Sequence, residues 1–206
     1  MTRPWVEITI RWLGGFLAYF TFTVLLIGIW RGTRHQIGRS FGRNTNWLHS
    51  IWFYIITSLI FFGLCLIGWK PLPVKGSPTS LVISLVIGIL FYFPGLLLVL
   101  WGRLSLGKNY LTSTVSGVHL FADHQLITSG PYAYLRHPMY LGLILAGIGS
   151  LLIFKTWTTL FMALFSPLVA LRAKREEQAM VAEFGKQYLD YCQQVPRWFP
   201  RMKKIT

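Results

Sequence analysis

Three predominantly apolar runs, residues 8–30, 47–69 and 81–101, constrain this chain more than any other feature. A helix needs about 20 consecutive apolar residues to cross a bilayer core, and each run has that length. Trp30, Trp47, Trp69 and Trp101 stand at their ends, where amphipathic rings anchor spans to the interface. Pro94 is expected to kink the third run. Only 13% of the residues are charged, against about 25% in a soluble domain. The net charge of +14 flanks the apolar runs instead of interleaving with them, which is juxtamembrane patterning and a poor fit to nucleic-acid binding. The first run lacks a small-x-small cleavage pattern, so it is expected to be a span and not a targeting peptide. Cys65 and Cys192 lie far apart and propose neither a disulfide framework nor a metal cluster.

A fourth apolar region, residues 139–171, is too long for one span and is interrupted at Phe154-Lys-Thr-Trp157. Two arms of roughly 15 residues would each reach about 22 Å, so a helical hairpin crossing incompletely is expected. One long tilted helix is the alternative. Fifteen of the 20 Lys and Arg residues fall on one side of this arrangement, among them Arg31, Arg103, Lys108, Arg136 and eight from Arg172 onward. The positive-inside rule then predicts an outside N-terminus and a cytoplasmic C-terminus. The expected fold is an all-α integral membrane protein of about five membrane helical segments. The last two form a hairpin, and a cytoplasmic amphipathic helix follows. Residues 1–101 would hold three N-terminal spans and residues 102–206 the functional region.

Four of the six acidic residues lie in "RAKREEQAMVAEFGKQYLDYCQQVP", residues 172–196. Glu177, Met180, Val181, Phe184, Tyr188 and Tyr191 recur there at helical spacing, which predicts one helix ended by Val195-Pro196. Arg172 and Glu176 are four apart and share a face. Periodicity alone fits a helix lying on the membrane with its charges solvated.

The stretch "TSGPYAYLRHPMYLG", residues 128–142, sets Arg136 and His137 directly before Pro138, a good first residue for the helix that follows. A helix N-terminus disfavours cations by roughly 0.3–1 kcal/mol each. Their placement makes sense if an anion sits there. A simple alternative is interfacial charge snorkelling into headgroups. A hairpin would bring Arg136-His137 and Glu176-Glu177 to the same membrane face, beside an apolar groove suited to a zwitterionic ligand with a lipophilic partner.

These blocks resemble the isoprenylcysteine carboxyl methyltransferases and their bacterial relatives, including phospholipid N-methyltransferases. The resemblance rests on His124-Gln-Leu-Ile-Thr-Ser-Gly-Pro-Tyr132, Arg136-His-Pro-Met-Tyr140 and Gly142. It continues after the hairpin in Arg172, Glu176-Glu177, Phe184-Gly185, Tyr188, Tyr191 and Val195-Pro196. It covers about residues 103–200 and leaves the first half without a motif. The resemblance implies an enzyme that uses S-adenosylmethionine to methylate a lipophilic acceptor drawn from the bilayer. It implies that His124, Gln125, Leu126 and Ile127 line the nucleoside end of that cofactor. Tyr132, His137, Pro138, Met139 and Tyr140 would hold the amino-acid end, whose carboxylate would be the anion at the start of the helix that Pro138 opens, with Glu176 on a polar group. Arg172 would face the acceptor, and Arg136 would order the site or neutralise an acceptor carboxylate. Glu177 would balance a positive charge or pair with Arg172, Arg175 or a headgroup.

The acceptor is expected to be a carboxylate, amine or thiol on a lipophilic or lipidated molecule. An amine acceptor would need a base, for which His124 or Glu177 is available. The runner-up is an NADPH-dependent membrane reductase, because sterol-reductase-like proteins carry a related Arg-His-Pro segment before a hairpin. Met139 and the Glu176-Glu177 pair fit the methyltransferase side better. A non-enzymatic protein on the same scaffold is a third reading. His35, His49 and His119 have no metal-ligand spacing. Gly107–Thr112 is read as a loop entering the site, and Arg197–Lys204 as a basic tail on anionic lipid.

Overall fold

A computed structural model describes residues 4–32, 34, 37–42, 50–110, 117–121 and 124–199. His35, His49, Asp123, Thr112 and the tail from residue 200 lie outside them, as does the side chain of His119. The described chain is overwhelmingly helical: α1 (Pro4–Gly32), α2 (Ile51–Ile67), α3 (Pro78–Leu106), α4 (Pro138–Phe154), α5 (Trp157–Phe165), α6 (Val169–Phe184) and α7 (Lys186–Gln194). It also contains an antiparallel ribbon, β1 (Ile37–Gly42) with β2 (Gly117–Phe121), which the all-α expectation lacked. Pairing runs from Ile37 opposite Phe121 to Gly42 opposite Gly117, with a register shift between Ile37 and Ser40.

Among the described residues α1 and α3 are long and apolar enough to cross a membrane, whereas α2 and α4 are apolar but shorter. The α3 helix begins where Ser77 accepts the Ser80 N–H and Pro78 fills the first turn. It continues through Pro94 as one helix.

The interrupted region resolves into α4 and α5, joined at Lys155 and Thr156. Lys155 closes α4 in the left-handed region with φ +52°, and Thr156 opens α5 with a capping box. The segment after α2 grips this turn. The Leu72 N–H donates to the Lys155 carbonyl at 2.8 Å, the Trp157 N–H to Lys70 at 3.1 Å, and the Thr158 hydroxyl to Cys65 at 2.7 Å. From α5 the chain stays helical through a tight 3-10 turn at Ser166–Leu168 into α6, because Pro167 interrupts the hydrogen-bond ladder without reversing the chain.

The core lies where α3 and α4 cross. Leu85, Tyr92, Leu96, Ala146 and Ile153 are buried there, and the Tyr92 hydroxyl ties α1 in by donating to the Gly14 carbonyl at 3.0 Å. Glycines allow the approach. A Cβ on Gly95 would lie 2.7 Å from the Gly142 carbonyl oxygen, and one on Gly149 would lie 2.4 Å from the Tyr92 nitrogen. Small residues at membrane helix crossings bring backbones together in this way.

The helix expected across residues 172–196 is two helices. Gly185, at φ +51°, ends α6 and starts α7, a conformation an L side chain adopts only with strain. The break turns Tyr188, Tyr191 and Val195 into a second buried cluster with Leu126 and Met180. Val181, read as part of the apolar stripe, is exposed instead.

Candidate functional site

Gly130, with φ +63°, opens the turn that precedes α4, and a Cβ there would fall 2.5 Å from the Ser105 hydroxyl. The turn buries Pro131 and Tyr132. Two bonds then fasten this segment to the C-terminal helices. The Tyr191 hydroxyl donates to the Tyr132 carbonyl at 2.7 Å, and the Arg136 N–H donates to the Pro196 carbonyl at 3.0 Å. On the other side the Gln125 N–H donates to the buried Asn109 Oδ1 at 2.9 Å, which holds residues 124–127 beside the end of α3.

The anion beside Arg136 and His137 at the start of α4 is Glu177, supplied by α6, where the resemblance implied the carboxylate of the cofactor. Its Oε1 takes hydrogen bonds from His137 Nε2 at 2.9 Å and Arg197 Nε at 3.0 Å, and lies 3.0 Å from Arg136 Nη1. Arg197 Nη2 contacts Oε2 as well. Burial alone would push this carboxyl up, but the hydrogen bonds from His137 and Arg197 and the Arg136 charge override it and hold it at about 2. The carboxylate is therefore anionic, so His137 Nε2 donates. Partners Arg172 or Arg175, considered for Glu177 from sequence, are replaced by Arg136, His137 and Arg197. Arg197 thereby leaves the lipid-anchoring tail to which its neighbours Arg201 and Lys203 were assigned.

Glu176 points the other way. The Tyr140 hydroxyl donates to its Oε1, and His137 Nδ1 stands 3.9 Å from its Oε2. The Tyr140 ring stacks on His137 at 5.6 Å with 7° between planes, and the Arg172 guanidinium lies 5.8 Å from the centre of the Tyr140 ring. Burial, reinforced by the Glu176 charge, raises the Tyr132 phenol well above its ordinary value, so it stays neutral.

These groups face an open cleft of about 1010 Å³, mouth included. His124, Gln125, Leu126 and Ile127 form one wall. Tyr132, Arg136, His137, Met139 and Tyr140 form another, and Arg172 and Glu176 close it from α6. Pro138 does not line the cleft; it is fully buried as the first residue of α4. Leu25 of α1 and Leu143 also face the cleft and were not singled out from sequence. Asn109 and Tyr110 face it too, and both sit within Gly107–Thr112, the loop read as entering the site.

The profile of the phospholipid methyltransferase family matches residues 83–187, half of the chain. A protein-S-isoprenylcysteine O-methyltransferase of Schizosaccharomyces pombe is 35% identical over 80 residues, covering 38% of this chain and 34% of that protein. The enzyme of the same name from Xenopus laevis is 30% identical over 122 residues, covering 54% and 41%. A delta(14)-sterol reductase of Mus musculus is 31% identical over 100 residues, covering 43% and 23%. The matches span less than half the length of each of these relatives.

Proposed function

Because the chain belongs to the phospholipid methyltransferase family, we propose that it is an integral-membrane methyltransferase using S-adenosylmethionine on a lipophilic acceptor. The observation that carries this reading is the cleft itself. One carboxylate, Glu176, two guanidiniums, Arg136 and Arg172, and the Tyr132 and Tyr140 phenols converge beside apolar walls. The Glu176 carboxylate suits the ammonium of the donor, a sulfonium gains from the nearby carboxylate and aromatic faces, and Arg172 is left for the acceptor.

In this reading His124, Gln125, Leu126 and Ile127 hold the nucleoside end, and Tyr132, His137, Met139 and Tyr140 the amino-acid end. Glu176, fixed by Tyr140, takes the ammonium. Pro138 sets the first turn of α4. When bound, S-adenosylmethionine supplies an electrophilic methyl group. The chain's contribution is to orient donor and acceptor in line and exclude water, worth several kcal/mol. Arg172 orients the acceptor, and Arg136 orders the site through Glu177. The acceptor carries a carboxylate, amine or thiol on a lipophilic or lipidated body and enters sideways from the bilayer. Residues 1–101 serve as a membrane scaffold for residues 102–206. The α4–α5 pair is the membrane hairpin, and the cleft opens to the cytoplasm.

The reductase reading draws on the sterol-reductase match, which covers less of the chain than the family profile does. Calorimetry on the detergent-purified chain separates the two. S-adenosylhomocysteine is expected to bind saturably and NADPH not at all. Glu176→Ala should weaken that binding at least about tenfold, the loss of one charge-assisted hydrogen bond. Arg172→Ala should leave it within about twofold, as expected of a group that makes no bond to the donor. Saturable NADPH binding alone would make the chain a reductase.

A further inference from the structure

Arg103 is a buried cation that no described acid meets. It lies in the last turn of α3, is only 7% exposed, and packs against α1, where a Cβ on Gly28 would fall 2.2 Å from its Nε. Its Nη1 donates to the Gly107 carbonyl at 3.1 Å, and its guanidinium carbon stands 4.5 Å from the centre of the Tyr110 ring. The Nε atom has no hydrogen-bond partner among the described residues. Nor does any described carboxylate pair with the side chain: Glu7 lies at the other end of α1, paired with Arg11, Glu176 and Glu177 are engaged in the cleft, and Glu183 and Asp190 do not line the cavity that holds it. A buried guanidinium without an anion is costly to fold around.

Arg103 shares a cavity of about 980 Å³ with the cations Arg31 and Lys108, both exposed. Ile27 lines this cavity and also a groove of about 1030 Å³ between α1 and α2, whose walls include Leu26, Ile55, Leu59 and Phe62. Three cations, Arg31 on α1 and Arg103 and Lys108 at the end of α3, thus adjoin an apolar trough through Ile27. We propose that together they bind an anionic phospholipid, its phosphate against Arg103, Arg31 and Lys108 and an acyl chain along the α1–α2 groove. The cationic lining favours an anionic headgroup over a zwitterionic one. Free phosphate offers the same oxyanion but leaves the groove unfilled. Tyr110 borders both this cavity and the cleft, so a lipid seated here braces one wall of the candidate site. The proposal does not depend on methyl transfer.

The test uses the full chain in an uncharged detergent, with retained lipid read by native mass spectrometry and stability by thermal unfolding. Phosphatidylglycerol is expected to bind one per chain and raise Tm, and phosphatidylcholine and inorganic phosphate are expected to do neither. Arg31→Gln and Lys108→Gln should each weaken phosphatidylglycerol binding about tenfold, with Arg175→Gln unchanged. Both side chains are exposed, so these variants remain informative if Arg103→Gln does not fold. A full response to phosphatidylcholine or to inorganic phosphate would overturn the proposal, and so would wild-type affinity in Arg31→Gln and Lys108→Gln.

Discussion

Glu177→Ala is expected to destabilise the folded chain by about 3–5 kcal/mol, the cost of removing one partner from a buried charge network. Its carboxylate is the common acceptor for His137 on the start of α4, Arg197 beyond α7, and the Arg136 charge between them. Without it the Arg136 guanidinium, 15% exposed, keeps Cys192 Sγ as its side-chain neighbour at 2.9 Å and loses its anion. The same carboxyl sets an acid limit. Its pKa falls from 4.5 to about 2 on folding. A depressed carboxyl contributes stability that is complete above pH about 4.5 and lost as pH falls toward about 2, in total about 3 kcal/mol. Thermal unfolding in detergent across that range should show a steep decline in the wild type and a flatter one in Glu177→Gln. A Glu177→Ala variant with wild-type Tm would remove Glu177 from the account.

Gly149→Ala is the second large effect. Its new Cβ would meet the Tyr92 nitrogen at 2.4 Å and the Gly88 carbonyl oxygen at 2.8 Å. Both are backbone atoms, so no side chain can move aside, and α3 and α4 must separate. Overpacking of this kind costs about 1–3 kcal/mol. A wider crossing also moves the start of α4, which carries His137, Met139 and Tyr140, so activity should fall with stability. A Cβ on Gly15 would meet nothing within 4 Å, so Gly15→Ala is the control and should leave stability unchanged or raise it by up to about 1 kcal/mol through helix propensity. Equal Tm values for the two variants would contradict the close crossing.

The apolar runs made α1 and α3 legible, because twenty or more apolar residues leave a chain few options. The break at Lys155 and Thr156 was also legible, since polar residues interrupt an apolar run there. The ribbon was not. "IGRSFG" in β1 shows no clean alternation of apolar and polar residues, which is the signal a half-buried strand gives. The division of α6 from α7 hung on Gly185 alone, and an isolated glycine in a helical pattern is compatible with continuation. The seven-residue spacing of Gly88, Gly95 and Gly102, and of Gly142 and Gly149, stands in the sequence. It acquires meaning only once α3 and α4 are known to face each other. For the site, the residue types were legible and their pairing was not. Glu176 and Glu177 are adjacent in sequence, yet helical geometry sends them to different partners, one to Tyr140 and one to Arg136, His137 and Arg197. The anion expected at the start of α4 was the methionine carboxylate of the cofactor; the anion that meets Arg136 and His137 in the structure is Glu177 of the chain itself.

Transfer of the methyl group itself tests the central reading most directly. Wild-type chain in lipid nanodiscs, given methyl-tritiated S-adenosylmethionine and lipophilic acceptors bearing a carboxylate, an amine or a thiol, is expected to move label into the organic phase with one of them. Glu176→Ala is expected to leave the label in water. Label that stays aqueous for the wild type with all three acceptor classes would contradict the account.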